Sequence, residues 1–220
     1  MSVATKAVFI VGAKRTPFGS FGGSLKSITA TDLAVHSSKA ALAHANLSPE
    51  KVSETFMGNV ISSSLDAPYL SRHVALKSGV PQVSPSLTIN RLCGSGFETI
   101  CLGAEAIMQG RSSVALCGGT ENMSMAPMVI DGIAARFGTA LGKGMKAEDS
   151  LWAGLTDAYL GLPMGITAEN LAEKYSITRE DCDEYGLRSQ NLYQEALAAG
   201  VYEAEIAPME VKGRKGMVTV

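Results

Sequence analysis

The stretch from Asn90 to Met108, N-R-L-C-G-S-G-F-E-T-I-C-L-G-A-E-A-I-M, constrains this chain most, because it sets one cysteine where a strand turns into a helix. Ser84 to Asn90 (S-P-S-L-T-I-N) reads as a short strand. Beyond Cys93, Phe97, Ile100, Cys101, Ala104, Ile107 and Met108 recur at helical spacing and predict a helix with an apolar face. Gly94-Ser95-Gly96 is the hinge between the two. Glycines let backbone N–H groups approach a ligand closely, and the first turn of a helix leaves N–H donors unpaired with a partial positive charge. That setting favours a thiolate, the form of cysteine that acts as a nucleophile. The competing reading is a small buried cysteine filling a tight turn.

The rest of the chain alternates strands and helices. Ala7 to Gly12 (A-V-F-I-V-G) reads as a fully buried strand. The first 31 residues carry Lys6, Lys14, Arg15 and Lys26 with no acid until Asp32, as an organelle targeting segment would. Because the same residues supply a strand, such a signal would not be cleaved. Thr29 or Thr31 can cap a helix through Leu33, Ala34, Ala40, Ala41 and Leu42. Ser48 and Pro49 start a short helix, a strand runs from Glu54 to Val60, and a helix around Tyr69 to Ser78 stops at Gly79. After the Cys93 hinge and its helix comes a strand from Ser113 to Cys117. This pattern predicts an α/β fold of layered helices and sheet.

From about Ser124 the texture changes. Met125, Met128, Met145 and Met164 are scattered among glycines with no sustained period, which predicts an insertion of loops and short helices. A helix follows Thr167, with Glu169 near its start. Thr178 and Asp181 are placed for a capping box on another helix, with Tyr185, Leu192 and Ala196 on one face. Lys212 to Gly216 is a basic turn between two β-like runs. Val220 stops mid-pattern, as a truncated or split polypeptide would. The expected division is residues 1–124 for an α/β domain with Cys93 and 125–220 for the inserted loops.

Composition narrows the function classes. A net charge of −2 gives no electrostatic footprint for nucleic acid, and no apolar run is long enough to span a membrane. The four cysteines, at 93, 101, 117 and 182, show neither paired C-x-x-C spacing nor the density of a disulfide scaffold. A reducing compartment and no metal site are expected. Neither G-x-G-x-x-G nor G-x-x-x-x-G-K-[ST] follows a strand, which disfavours a nucleotide-binding domain.

Asn90-Arg91-Leu92-Cys93-Gly94-Ser95-Gly96-Phe97 resembles the nucleophile motif of the thiolases. Three further stretches match that family in the same order: Ala13 to Gly19 (A-K-R-T-P-F-G), Gly118 to Ser124 (G-G-T-E-N-M-S) and Met164 to Asn170 (M-G-I-T-A-E-N). Arg136 to Thr139 and Glu148 to Trp152 are most similar to the mitochondrial 3-ketoacyl-CoA thiolases of fatty-acid oxidation. The likeness runs over all 220 residues but covers only the N-terminal half of a usual thiolase chain.

The resemblance implies a thiolase-like layered α-β-α N-terminal domain with an inserted loop domain over a coenzyme A channel. It implies thiolytic cleavage of 3-ketoacyl-CoA through a Cys93 acyl-enzyme, and the reverse condensation, with the Cys93 backbone N–H as an oxyanion donor. Met164 is similar to the methionine lining the family's acyl pocket, though a methionine in a turn also simply fills gaps. No tightly bound cofactor is implied. Coenzyme A and acyl-CoA enter as substrates, and a homodimer or tetramer is expected, paired through the strand before the nucleophile. The mitochondrial matrix is the implied location, with cytoplasm and peroxisome as alternatives.

Family members take their base from a Gly-His-Pro motif, a second acid/base from Cys-x-Gly and an oxyanion site from Asn-Glu-Ala-Phe. All three lie in the C-terminal half, so this chain alone is expected to be inactive unless another chain supplies them. His36, His44 and His73 read as helix-surface or packing residues, and Cys101, Cys117 and Cys182 as structural or incidental. Arg15 reads as a brace formed by ion pairing and Glu121 as structural. The alternative is a catalytically silent module for dimerisation or for binding lipid or coenzyme A.

Overall fold

Of the two threonines the sequence offers as caps, Thr29 and Thr31, Thr29 opens the first helix: its hydroxyl accepts the Asp32 N–H and donates to the Asp32 carboxylate. That satisfies one of the donors a helix start leaves open. The structure is a computed structural model describing residues 7–213 and 216–220. Helix α1 (Ala30–His44) is followed by a single 3-10 turn at Pro49–Lys51 with Ser48 before it. Then come β1 (Glu54–Gly58), α2 (Leu70–Lys77), β2 (Ser86–Ile89), α3 (Ser95–Met108) and β3 (Ala115–Gly119). The three strands are parallel, in the order β2–β1–β3, with Phe56 opposite both Leu87 and Cys117.

Alternation along the strands sets the layers. Met57 and Leu116 join a buried core with Ala30, Ala34 and Leu42 of α1 and Leu70, Val74 and Ala75 of α2. Phe56 and Cys117 point to the opposite face, where Gly103 of α3 sits so close that an added Cβ would lie 2.5 Å from the Cys117 sulfur. Helices therefore cover both faces of the sheet, and this unit has the α-β-α layering expected of it.

Three expectations need correction. Ala7 to Gly12 is not a strand: it forms no ladder, and Phe9, Ile10 and Val11 are 77%, 76% and 66% exposed. An apolar run becomes a strand only where a neighbour takes its hydrogen bonds. Here only Arg15 makes a bridge, with Ile206, flanked by bonds from Arg15 N–H to the Glu205 carbonyl and from Ala207 N–H to the Arg15 carbonyl. The second correction is the buried face of α3. Ser95, Thr99, Gly103 and Ala106 face inward, while Phe97, Ile100, Cys101 and Met108 are exposed. Close helix–sheet approach selects the small residues and leaves the apolar stripe uncovered within this chain. Third, the helix expected after Thr167 already begins at Met164.

Residues Pro127–Ala204 form a second compact unit. It holds two small antiparallel pairs, β4 (Met128–Ile130) with β5 (Ala147–Asp149) and β6 (Thr156–Asp157) with β7 (Leu162–Pro163). Short helices α4 (Gly132–Phe137) and α5 (Ser150–Gly154) are capped by Asp131 and Asp149. Helix α6 (Met164–Tyr175) is followed by α7 (Arg179–Ala198), which starts in the expected Thr178/Asp181 capping box. No residue of this unit is buried, including Tyr185 and Leu192 on the predicted face of α7.

Glu205–Val220 returns to the first unit, whereas the sequence suggests one loop segment from 125 to 220. Its hairpin pairs β8 (Glu210–Gly213) with β9 (Gly216–Thr219), and Met209 and Val211 pack with Leu25 and Leu33 in a second small core. The basic turn expected at Lys212 to Gly216 includes Arg214 and Lys215, which lie outside the described residues.

Candidate active site

Cys93 lies on the turn that leaves β2 and enters α3, with Gly94 as the residue capping the helix and Ser95 as its first residue. Its side chain is exposed. The turn is built by four polar side chains. Asn90 Oδ1 accepts the Leu92 N–H at 2.9 Å. Ser95 Oγ accepts the Arg91 N–H at 2.8 Å and donates to the Leu92 carbonyl at 2.6 Å. Arg91 pairs with Glu98 one turn into the helix. Between these bonds Leu92 adopts φ +48°, a left-handed conformation that costs a side-chain-bearing residue roughly 1–2 kcal/mol. Sequence reading finds the cysteine and its glycines but misses Leu92. The signal for it is Asn90, since Asn side chains commonly bond their own backbone two residues on.

The Gly118 to Ser124 block is a brace. The Glu121 carboxylate accepts from Asn59 Nδ2 and from the Val60 and Ile61 N–H groups, tying the end of β1 to the end of β3. Asn122 Nδ2 donates to the Ile28 carbonyl at 2.6 Å, and Asn122 Oδ1 accepts the Ser124 N–H. Arg15 binds the Glu205 carboxylate at 2.7 Å and lies 4.8 Å from the centre of the Phe18 ring. Both Glu121 and Arg15 therefore hold structure, as their sequence context suggests. A cavity of about 420 Å³ lies along the outer edge of β3, lined by Phe18, Ala34, Leu116, Cys117 and Thr120 among others, and Cys93 is not on its wall.

The other candidate groups are engaged elsewhere. His36 Nε2 lies 3.3 Å from the Ala207 carbonyl. His73 stacks on Tyr69 and places Nδ1 3.2 Å from the Asp66 carboxylate. Burial works against ionisation of Asp66, but hydrogen bonds from Ser64 and His73 outweigh it and bring its pKa down to about 2. Burial, reinforced by the charge of Glu54, pushes the Cys117 thiol up to about 11. Cys101 and Cys182 are exposed on α3 and α7. Met164, the first residue of α6, is 59% exposed and belongs to the second unit, whereas Cys93 belongs to the first. Among the described residues no cluster of three or more His, Cys, Asp or Glu side chains could hold a metal ion, and no helix is long and apolar enough to cross a membrane.

The family model "Thiolase, N-terminal domain" matches residues 8–220. The mitochondrial 3-ketoacyl-CoA thiolase of Bos taurus is 54% identical over 215 residues, covering 98% of this chain and 54% of that protein. An acetyl-CoA acetyltransferase of Cupriavidus necator is 44% identical over 209 residues, covering 95% of this chain and 52% of that one. The crystal structure of human mitochondrial 3-ketoacyl-CoA thiolase in complex with CoA superposes with a TM-score of 0.90 at 53% identity, over 96% of this chain and 52% of that chain. A further crystal structure of the human protein gives 0.93 at 54% identity, over 96% and 53%. The chain thus spans about half the length of these relatives. Its layered sheet, its cysteine-bearing turn and the family match fall on the same residues, and the chain belongs to the thiolase family, whose N-terminal domain it carries.

Proposed function

We propose that this chain supplies the nucleophile half of a thiolase-type acyltransferase. The observation that carries the reading is the exposed Cys93 at the β2–α3 turn, in a chain 54% identical to a 3-ketoacyl-CoA thiolase. The Cys93 sulfur adds to the 3-keto carbon of a 3-ketoacyl-CoA, and the carbonyl oxygen takes the negative charge. The Cys93 backbone N–H is assigned as one donor to that oxyanion. When the carbonyl re-forms, the bond between carbons 2 and 3 breaks, its electron pair stays on the acetyl-CoA carbon, and that carbon takes a proton. The acyl group is left on Cys93 as a thioester. A coenzyme A thiolate then attacks it, the bond to Cys93 breaks and a shortened acyl-CoA leaves.

The cysteine proton needs an acceptor within hydrogen-bond reach. We assign that base, the second acid/base cysteine and the remaining oxyanion site to the half of the family's sequence that this chain does not span. Met164 is assigned to the acyl pocket and the second unit to coenzyme A, in keeping with the human relative's complex with CoA. No tightly bound cofactor enters the reaction. The mitochondrial matrix is the inferred location, from the mitochondrial relatives.

The test is acetoacetyl-CoA cleavage. The isolated 220 residues should give no turnover. Co-expression with the C-terminal half of the human relative should restore it, with an acetyl adduct on Cys93 by mass spectrometry, and Cys93→Ala should abolish both. Turnover by the isolated chain at an ordinary enzymatic rate of about 1–10 s⁻¹, or by the Ala variant, would overturn the assignment. Binding of coenzyme A with no turnover in the complemented protein would support a silent module instead.

A further inference from the structure

The turn bearing Cys93 is held by bonds that burial does not explain. Leu92 is left-handed, a rare state for a bulky residue, and its side chain is 61% exposed, so no packing of that side chain forces the backbone into it. What holds Leu92 is polar. Its N–H goes to Asn90 Oδ1 and its carbonyl accepts both the Ser95 hydroxyl and the Ser95 N–H. Ser95 is itself a fixed point: it is 5% exposed, and an added Cβ on Gly58 of β1 would lie 2.7 Å from its atoms. The strain at Leu92 is therefore pinned between an exposed Asn and a Ser wedged against the sheet. Strain of this kind persists only where its surroundings over-determine it.

We propose that Asn90 and Ser95 are positioning residues that clamp Leu92 in its left-handed state and so fix where the Cys93 sulfur stands relative to the start of α3. The proposal rests on Cys93 being the nucleophile. Released from the clamp, Leu92 would relax to negative φ, and the peptide linking it to Cys93 would rotate. The cysteine would then shift relative to the start of α3. Asn90 and Ser95 touch no reacting atom in this scheme and act only through the backbone at Leu92.

The experiment uses the folded chain and iodoacetamide, with alkylation of each cysteine followed by peptide mass spectrometry from pH 6 to 9. Cys101 and Cys182, exposed and outside the turn, are internal references. Asn90→Ala and Ser95→Ala should each slow Cys93 about tenfold, because the sulfur moves away from the unpaired N–H groups at the start of α3, and change the shape of its pH profile. The two reference rates should not move. Asn90→Asp keeps an acceptor for the Leu92 N–H, so it should recover the rate at the alkaline end while shifting the profile through its added charge. If Ser95→Ala fails to fold, the exposed Asn90 decides alone. A parent chain in which Cys93 reacts no faster than Cys101 sinks the nucleophile reading and the clamp with it. A fast Cys93 whose rate and pH profile survive Asn90→Ala, with circular dichroism unchanged, overturns the clamp and leaves the nucleophile standing.

Discussion

Two cysteines on either side of α3 illustrate how much placement decides at the scale of a residue. Cys117 lies under Gly103, and burial keeps its thiol protonated up to about pH 11, while Cys93 stands exposed on the turn. Only the thiolate attacks. At pH 8, iodoacetamide should modify Cys93 at least tenfold faster than Cys117, a ratio readable by peptide mass spectrometry; comparable rates would contradict the burial of Cys117. Asp66 makes a second prediction. Its folded pKa of about 2 lies below the ordinary 3.8, so its charge stabilises the fold at all pH above about 4 and that contribution is lost as pH falls from about 4 towards 2. Its side chain is a quarter exposed, which after screening leaves a contribution of about 1 kcal/mol. Asp66→Asn should lower the urea midpoint at pH 6 and narrow the gap between parent and variant at pH 2.5. An unchanged gap would remove Asp66 from the account.

At the scale of elements, local chemistry was legible in the sequence and partner choice was not. The Thr29 and Thr178 caps, the Gly79 stop and the Cys93 turn each depend on residues within seven positions of one another. The failures at Ala7 to Gly12 and on α3 share a different cause. An apolar run carries no record of which strand will bond to it, and an apolar helical stripe does not say whether a smaller stripe beside it will take the sheet. Gly103 tests the second point. Alanine in a helix interior is favoured over glycine by about 1 kcal/mol, yet at 103 its methyl would meet the Cys117 sulfur at 2.5 Å and Ala115 Cβ at 3.1 Å. Gly103→Ala should therefore destabilise by about 1–3 kcal/mol. Gly186→Ala, in α7 with nothing within 4 Å, should stabilise by about 0.5–1 kcal/mol. Thermal melts of the two variants moving in the same direction would refute this account of the helix–sheet contact.

At the scale of the whole molecule, the sheet has two open edges. In the order β2–β1–β3 the outer sides of both β2 and β3 have no strand partner among the described residues. An exposed edge strand is a template for pairing with another chain. We expect β2 to meet its own copy across a two-fold axis, in keeping with the pairing the resemblance implies. Light scattering at micromolar concentration should give a dimer mass, and Leu87→Lys, on a residue already half exposed, should shift it towards the monomer. A dimer untouched by that change would move the interface elsewhere.

The division of the first unit into Met1–Ala126 and Glu205–Val220 also has a consequence in time. During synthesis Arg15 and Leu33 leave the ribosome long before Glu205 and Met209, the residues they bind or pack against. From Leu33 to Met209 the ribosome adds 176 residues, 78 of them the second unit, which at about 5–20 residues per second is a wait of about 9–35 s. Throughout that wait Leu25 and Leu33 lack half of their small core. The nascent chain should therefore be a chaperone client in a window that closes when residue 220 emerges. Arrested nascent chains ending before and after the β8–β9 hairpin would show it as a step in protease resistance.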